Sequence, residues 1–200
     1  LEEQGDEIFR DADSIALEID MDKEIVKRVF AFAEKYHKPV FAVVSNMSIA
    51  VERRDFLRSC ACFVCNQQEA GILFSEDYEG KTPAELETVL AHHVQAAALP
   101  GIVVTMGEQG AVYATLDGER GWCPAKRVDV KDTTGAGDAF FAGATIGLTY
   151  GKTLAESCTI GARLAASVIC TSENVCPRFL PSEFGLKAPD SDDGQLALEL

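Results

Sequence analysis

Apolar residues follow two different spacings along the chain, and these spacings alternate. Between residues 21 and 37 they recur at helical spacing, which predicts a helix with one apolar face. Residues 39–45 and 60–65 are instead short, nearly continuous apolar runs, which are typical of strands covered on both faces. The other predicted helices are 2–12, 48–59, 83–98, 139–150 and 153–170, and the other predicted strands are 14–19, 101–104 and 111–115.

The alternation of strand and helix indicates the fold class. Such a pattern favours an α/β fold, in which a parallel sheet carries helices on both sides. A small β section with turns at Gly118 and Gly121 follows the strand at 111–115. Two hundred residues with 47% hydrophobic content suit one domain with a sizeable core. We place that domain at residues 1–185 and an acidic tail at 186–200.

The charge of the chain limits its partners. The sequence has 18 basic and 32 acidic residues, a formal net charge of −14, and such a surface repels phosphate backbones and anionic membranes. We therefore expect neither nucleic acid nor a membrane as a partner. The longest largely apolar run, 139–148, is too short to span a bilayer.

The cysteines indicate the compartment. Most of the seven lie in apolar segments, and although Cys62 and Cys65 form a C-x-x-C, no second pair or His cluster completes a zinc site. Buried, reduced thiols are expected, which favours the cytoplasm. The sequence shows no signal-peptide pattern. It begins at Leu1, without a Met, and enters a charged helical pattern directly, so we expect it to be part of a longer protein.

Residues 132–140, Asp-Thr-Thr-Gly-Ala-Gly-Asp-Ala-Phe, carry the most specific chemistry. At the start of a helix this stretch would point several backbone N–H groups at one spot, at the positive end of the helix dipole, and that geometry binds phosphate. Gly135 and Gly137 would let a ligand approach closely because they have no Cβ. Asp138 falls in the first helical turn. Donors for an anion beside a carboxylate base are what phosphoryl transfer to a hydroxyl needs.

An ordinary helix start is the alternative for this stretch. In that case Thr133 or Thr134 would be the N-cap and the glycines would form a tight turn. A phosphate site in so acidic a chain would also need local donors, a divalent cation and a nearby basic residue. The basic candidates are Lys126, Lys131 and Arg163.

Two shorter motifs follow predicted strands, at the edge where ligands bind to a parallel sheet. Asn66 comes directly after the strand at 60–65, and Glu69 lies three positions later, on the same face of a helix. Taken alone, this pair is better interpreted as a capping box. Residues 105–110, Thr-Met-Gly-Glu-Gln-Gly, separate two strands and taken alone form a Gly-containing turn.

Residues 132–140 resemble the signature of the ribokinase-like (PfkB) family of sugar and nucleoside kinases at nine consecutive positions. The motifs at 66–69 and 105–110 are similar to two further motifs of that family, and all three stand in the family's order. The resemblance covers residues 14–177 and implies a three-layer α/β/α fold with a mainly parallel sheet. The family's first strands and its β lid, which often forms a homodimer contact, have no counterpart here. We therefore expect the nucleotide half of the site and little that selects the acceptor.

The resemblance implies an ATP-dependent kinase that phosphorylates a hydroxyl group of a small sugar or nucleoside. Asp138 would be the general base, and the backbone N–H groups of Gly135, Ala136 and Gly137 would stabilise the charge on the transferred group. Glu69 would organise Mg²⁺ through water. The residues that the resemblance places against the nucleotide are Asn66, Thr105, Gly107, Gly110 and Ala162.

Some segments depart from the family pattern. Many members bind a monovalent cation with help from a Gly-containing loop, but this chain has Thr-Ser-Glu-Asn-Val at 171–175, which counts against K⁺ at Asp132 and Thr134. The same segment is loosely similar to the pseudouridine-kinase-like branch, so a nucleoside kinase of that type is an alternative. Ser45 and Asn46 replace an Asp-containing segment common in sugar kinases. A nucleotide-binding regulator without catalysis is a further alternative.

Overall fold

Six strands form one sheet in the computed structural model, which describes residues 3–44, 47–172, 175–176 and 179–186. The strands are β1 (Ile15–Glu18), β2 (Val40–Val43), β3 (Cys62–Asn66), β4 (Gly101–Thr105), β5 (Ala111–Thr115) and β6 (Arg120–Cys123). They lie side by side in chain order. Neighbours from β1 to β4 are parallel, while β5 and β6 are antiparallel. The predicted, mainly parallel sheet is confirmed, and the small β section is its antiparallel edge.

The helices agree with the sequence pattern except at one place. They are α1 (Gly5–Asp11), α2 (Lys23–Lys35), α3 (Met47–Glu52), α4 (Arg54–Ser59), α5 (Gln67–Phe74), α6 (Pro83–Ala97), α7 (Ala136–Thr149) and α8 (Leu154–Ile169). The single helix predicted at 48–59 is wrong. Arg53, at φ −121° and ψ 55°, separates α3 from α4, because these angles lie outside the helical region.

Alternating side chains of the strands divide the core into two layers. In β3, Phe63 and Cys65 belong to a cluster that includes residues of α2, α4, α5 and α6. Cys62 and Val64 belong to a second cluster with residues of α7 and α8. Successive side chains of a strand point to opposite faces of a sheet, so helices cover both faces. This is the predicted three-layer α/β/α arrangement.

Close contact between α7 and α8 depends on small residues. A Cβ added to Gly161 would lie 2.6 Å from the Phe140 carbonyl oxygen, and one added to Gly143 would lie 2.8 Å from the Gly161 Cα. The two helix backbones can approach this closely only because these positions lack side chains. The contact fixes the beginning of α7 relative to α8, and both helices contribute to the site described below.

The cysteines are largely buried thiols, as predicted. Cys60, Cys62, Cys65, Cys123 and Cys158 are buried, and no disulfide joins any of the described cysteines. Burial raises the pKa of Cys62 to about 12 and also raises the pKa of Cys60, Cys65 and Cys158 well above the ordinary value of a thiol. These thiols therefore stay protonated and unreactive at neutral pH.

Some predictions fall on residues at or beyond the limits of the ranges that the structure describes. Leu186, the first residue of the predicted tail, is buried in a small cluster with residues of α7 and α8. Residues 187–200, Ser45, Asn46 and part of the segment 171–175 lie outside the described residues. Within the described residues, no helix combines the length and apolar character needed to cross a bilayer.

Candidate functional site

The carboxyl ends of β3 and β4 bring two of the predicted motifs together. Asn66, the last residue of β3, pairs in the sheet with Thr105, the last residue of β4. Asn66 is also the N-cap of α5: its Oδ1 accepts the Glu69 N–H at 2.9 Å, and its own N–H donates to Glu69 Oε2 at 2.7 Å. The capping box that the spacing predicted is therefore present. Any metal role of Glu69 would coexist with this cap.

The turn between β4 and β5 requires glycine at its last position. Gly107 and Gly110 have φ angles of 56° and 96°, which residues with a side chain rarely adopt. A Cβ on Gly110 would lie 2.1 Å from the Cys123 carbonyl oxygen and 2.6 Å from the Ala125 nitrogen. Gly110 therefore allows the chain that leaves β6 to cross directly over this turn.

Helix α7 begins without a side-chain cap. Its N-cap is Gly135, at φ 79° and ψ −1°, so the alternative in which Thr133 or Thr134 caps this helix is wrong. Thr134 instead donates its N–H and its hydroxyl to Asp132 Oδ1, at 2.9 and 2.8 Å. These hydrogen bonds lower the pKa of Asp132. The left-handed conformation of Gly135 turns the chain into the helix and leaves the end of α7 open.

The open end of α7 offers backbone donors to an anion. Ala136 donates its N–H to the Thr133 carbonyl at 3.2 Å, whereas the N–H groups of Gly135, Gly137 and Asp138 have no acceptor among the described residues. The helix dipole adds positive potential at the same place. Of the three donors predicted for this cradle, Gly135 and Gly137 are available and Ala136 is already engaged. The end of α7 can bind a phosphate group.

The carboxylate of Asp138 stands beside these donors. It lies in the first turn of α7 and is exposed. No described residue donates a hydrogen bond to this side chain or forms an ion pair with it. The carboxylate is therefore available to a ligand group bound at the end of the helix.

A cavity of about 730 Å³ connects the turn, the helix end and α8. It is lined by the turn after β4, by residues 125–128 and Val130, by the first residues of α7 and by one face of α8. The predicted site residues in its lining are Thr105, Gly107, Gly110, Ala136, Gly137 and Ala162. The predicted residues outside the lining are Asn66, Glu69, Asp132, Thr134, Gly135 and Asp138. Gly135 and Asp138 directly flank lining residues of α7.

One wall of this cavity was not predicted from the sequence. Residues 125–130 form it in an irregular conformation, which no periodic pattern marks. Of the three basic candidates, Lys126 lines the cavity, whereas the guanidinium of Arg163 lies 4.2 Å from the ring of Phe184. Arg127, which the sequence analysis did not name, also lines it. The available signal was this basic pair shortly before the glycine motif.

The shape and chemistry of the cavity suit a nucleotide. The wall formed by α8 is apolar, from Ala162, Ala165, Ala166 and Ile169, and can accept a flat base. The anion-binding end of α7 lies at another part of the same cavity. Its volume falls within the range of roughly 300–1,000 Å³ that is usual for small-molecule sites.

The described residues contain no group of three or more His, Cys, Asp or Glu side chains that could cage a metal ion. Mg²⁺ does not require such a cage, because it keeps several waters and is commonly bound by one or two carboxylates together with phosphate oxygens. Glu69, in the first turn of α5, is a carboxylate close in sequence to the carboxyl end of β3.

Comparisons with known proteins give consistent results. Residues 4–177 match the family described as pfkB family carbohydrate kinase. The chain is 33% identical to a guanosine-inosine kinase of Exiguobacterium acetylicum over 163 residues, which are 81% of this chain and 53% of that protein. It is 31% identical to a ribokinase of Schizosaccharomyces pombe over 137 residues, covering 66% of this chain and 42% of that protein. The chain thus spans about half the length of the curated relatives it matches.

Solved structures show the same fold. A probable sugar kinase from Rhizobium etli superposes with a TM-score of 0.73 at 26% identity, covering 91% of this chain and 57% of that one. A ribokinase from Arabidopsis thaliana, complexed with ribose and ATP, superposes with a TM-score of 0.75 at 22% identity, covering 85% and 54%.

Proposed function

The chain belongs to the pfkB family of carbohydrate kinases, and on this basis we propose that its protein transfers the γ-phosphoryl group of ATP to a hydroxyl group of a small sugar or nucleoside. The observation that carries this proposal is the cavity in which the turn after β4, the open end of α7 and the apolar face of α8 meet. Each of these would hold a different part of the nucleotide, and the Asp138 carboxylate flanks the phosphate end.

Asp138 is the proposed general base. ATP supplies the phosphoryl group, and its transfer passes through a loose transition state in which the acceptor's proton leaves late, so an ordinary ionised carboxylate suffices. The N–H groups of Gly135 and Gly137, which have no acceptor among the described residues, would donate to the oxygens on which charge develops. Fixed donors of this kind need no reorganisation during the reaction.

Glu69 is the proposed contact to Mg²⁺, through water. Its Oε2 accepts the Asn66 N–H, and its Oε1 accepts no hydrogen bond from the described residues. A capping carboxylate can therefore also face a hydrated ion. A monovalent cation at Asp132 and Thr134, a cytoplasmic location and a homodimer stay predictions.

We expect Glu69→Gln to raise the Mg²⁺ concentration required for ATP binding by about tenfold, the lower end for lost outer contacts to a metal. Glutamine can keep the hydrogen bond of the cap but carries no charge to attract a hydrated cation. Calorimetric titration of Mg²⁺ at fixed ATP measures the effect.

Two matched controls separate this role from helix capping. Thr82 and Glu85 form a capping box on α6, and Thr153 and Glu156 form one on α8. Glu85→Gln and Glu156→Gln should change the melting temperature about as much as Glu69→Gln while leaving the Mg²⁺ requirement unchanged. An unchanged Mg²⁺ requirement in Glu69→Gln would show that Glu69 is a cap only.

A nucleoside acceptor is the more specific candidate. The guanosine-inosine kinase matches over most of this chain, and a pseudouridine kinase of Escherichia coli is 30% identical over 119 residues. Both names denote nucleoside kinases, and both matches fit the alternative drawn from residues 171–175. The competing candidate is a nucleotide-binding regulator of the same fold.

A phosphoryl-transfer assay on the full-length protein tests the proposal. With Mg·ATP we expect transfer to at least one member of a panel that contains inosine, guanosine, pseudouridine, ribose and deoxyribose. Tight ATP binding without transfer to any acceptor would favour the regulator, and absence of ATP binding would contradict both candidates.

A further inference from the structure

The proposed nucleotide site has an unfavourable electrostatic background. The chain carries a formal net charge of −14, and the cavity lining itself contains the carboxylate residue Glu108. A nucleoside triphosphate brings several further negative charges. If the donors at the end of α7 bind the terminal phosphate group, the remaining phosphates would need donors or cations elsewhere in the lining.

The wall formed by residues 125–130 carries the basic residues of the cavity lining. It starts at the crossing over Gly110, where the Cys123 carbonyl and the Ala125 nitrogen occupy the space of the missing Cβ. It ends at Lys131, whose N–H donates to the Ile169 carbonyl of α8 at 2.8 Å. The wall therefore spans from the glycine turn to the end of α8 that borders the base-accepting surface.

Two consecutive cations stand on this wall. Lys126 and Arg127 both line the cavity, and both are exposed. Neither makes a hydrogen bond or an ion pair with any described residue. Many other basic side chains are engaged, as in the pairs Lys23–Glu52, Lys27–Glu24, Lys35–Asp6, Arg53–Asp55 and Arg120–Glu87. In a chain with a large excess of carboxylates, two adjacent unpaired cations facing one cavity are available for an anionic ligand.

We propose that Lys126 and Arg127 bind the α- and β-phosphate groups of the donor nucleotide. This inference rests on the proposed function, because it concerns the same cavity. The guanidinium of Arg127 can donate two parallel hydrogen bonds to phosphate oxygens, while the ammonium of Lys126 acts as a point charge. The two residues then offset the field of Glu108 and of the acidic surface.

The test compares nucleotides that differ in phosphate number. Binding of ATP, ADP, AMP and adenosine is measured by calorimetry at fixed Mg²⁺, for the unchanged chain and for Lys126→Gln, Arg127→Gln and the double variant. A hydrogen bond to a charged group contributes enough for about a tenfold change in affinity. We therefore expect a loss of about tenfold for ATP and ADP in each single variant and about 100-fold in the double variant, with adenosine affinity unchanged.

Three controls accompany these variants. Lys152→Gln removes the same charge between α7 and α8 and should leave ATP affinity within about twofold of normal, because Lys152 does not line the cavity. Arg127→Lys keeps the charge and should recover part of the affinity lost in Arg127→Gln. Melting temperatures should be equal in all variants, since both side chains are exposed.

The outcomes distinguish this inference from the function on which it rests. If the unchanged chain binds no ATP, the proposed function fails and this inference fails with it. If the unchanged chain binds ATP and the double variant binds it equally well, only the inference is wrong. A loss that is equal for ATP and adenosine would also overturn it, because that result would show a change in the cavity rather than a lost phosphate contact.

Discussion

Asp138→Asn should leave the affinity for Mg·ATP close to that of the unchanged protein and lower the turnover of the full-length protein by at least about 10²-fold, the low end for removal of a general base. The amide is nearly isosteric with the carboxylate and can keep the geometry of the first turn of α7. It cannot accept a proton from the acceptor hydroxyl. Because no described residue pairs with the Asp138 side chain, the substitution breaks no structural contact.

The matched control for this variant is Asp129→Asn. Asp129 is an exposed carboxylate within the segment 125–130 but, unlike the other residues of that segment, does not line the cavity, so its loss should leave both turnover and affinity unchanged. Steady-state kinetics with saturating ATP, together with calorimetry for ATP binding, separate the two effects. Turnover retained within about tenfold in Asp138→Asn would be too small a loss for a general base, and the assignment would fail.

Gly110→Ala should destabilise the fold by about 3 kcal/mol or more and abolish measurable nucleotide binding. Two costs add at this position. The backbone conformation, φ 96° and ψ −133°, is one that residues with a side chain adopt at a cost of about 1–3 kcal/mol. The added Cβ would also lie 2.1 Å from the Cys123 carbonyl oxygen and 2.6 Å from the Ala125 nitrogen, and rigid backbone atoms cannot yield without moving the wall at 125–130.

Gly118→Ala isolates the first of these costs. Gly118 has a φ of 100°, but nothing lies within 4 Å of its missing Cβ. This variant should therefore lose about 1–2 kcal/mol and bind nucleotide normally. Urea unfolding measures stability, and calorimetry measures binding. Equal losses of stability in the two variants would contradict the claim that the crossing over Gly110 is tightly packed.

Much of the fold could be predicted because local signals agreed with the final packing. The apolar runs at 39–45 and 60–65 became β2 and β3, each covered on both faces. One helix start could be predicted equally well: Asn66 with Glu69 forms the expected capping box at the start of α5. Such a box satisfies free backbone N–H groups within four residues, so it needs no tertiary information.

The two failures arose where the backbone adopts a conformation that residue preferences do not indicate. A continuous apolar periodicity at 48–59 contained no breaker, yet the chain bends at Arg53 between α3 and α4. At the start of α7 the threonines are good caps by propensity. Gly135 is the N-cap instead, and Thr134 satisfies Asp132.

Part of the candidate site could be predicted from the sequence, and part could not. The glycine positions could be identified because their motif is short and contiguous. The wall at 125–130 could not, because it has no regular structure and is held by distant partners, Gly110 at one end and Ile169 at the other. Neither partner can be inferred from the spacing of residues within the wall.

A crystal structure of this chain with Mg²⁺ and a non-hydrolysable ATP analogue would show where the nucleotide binds. We expect the base against Ala162 on α8 and the terminal phosphate within hydrogen-bond distance of the Gly135 and Gly137 N–H groups, with the Asp138 carboxylate beside it. An analogue bound outside this cavity, or bound with its phosphates away from the end of α7, would contradict this expectation.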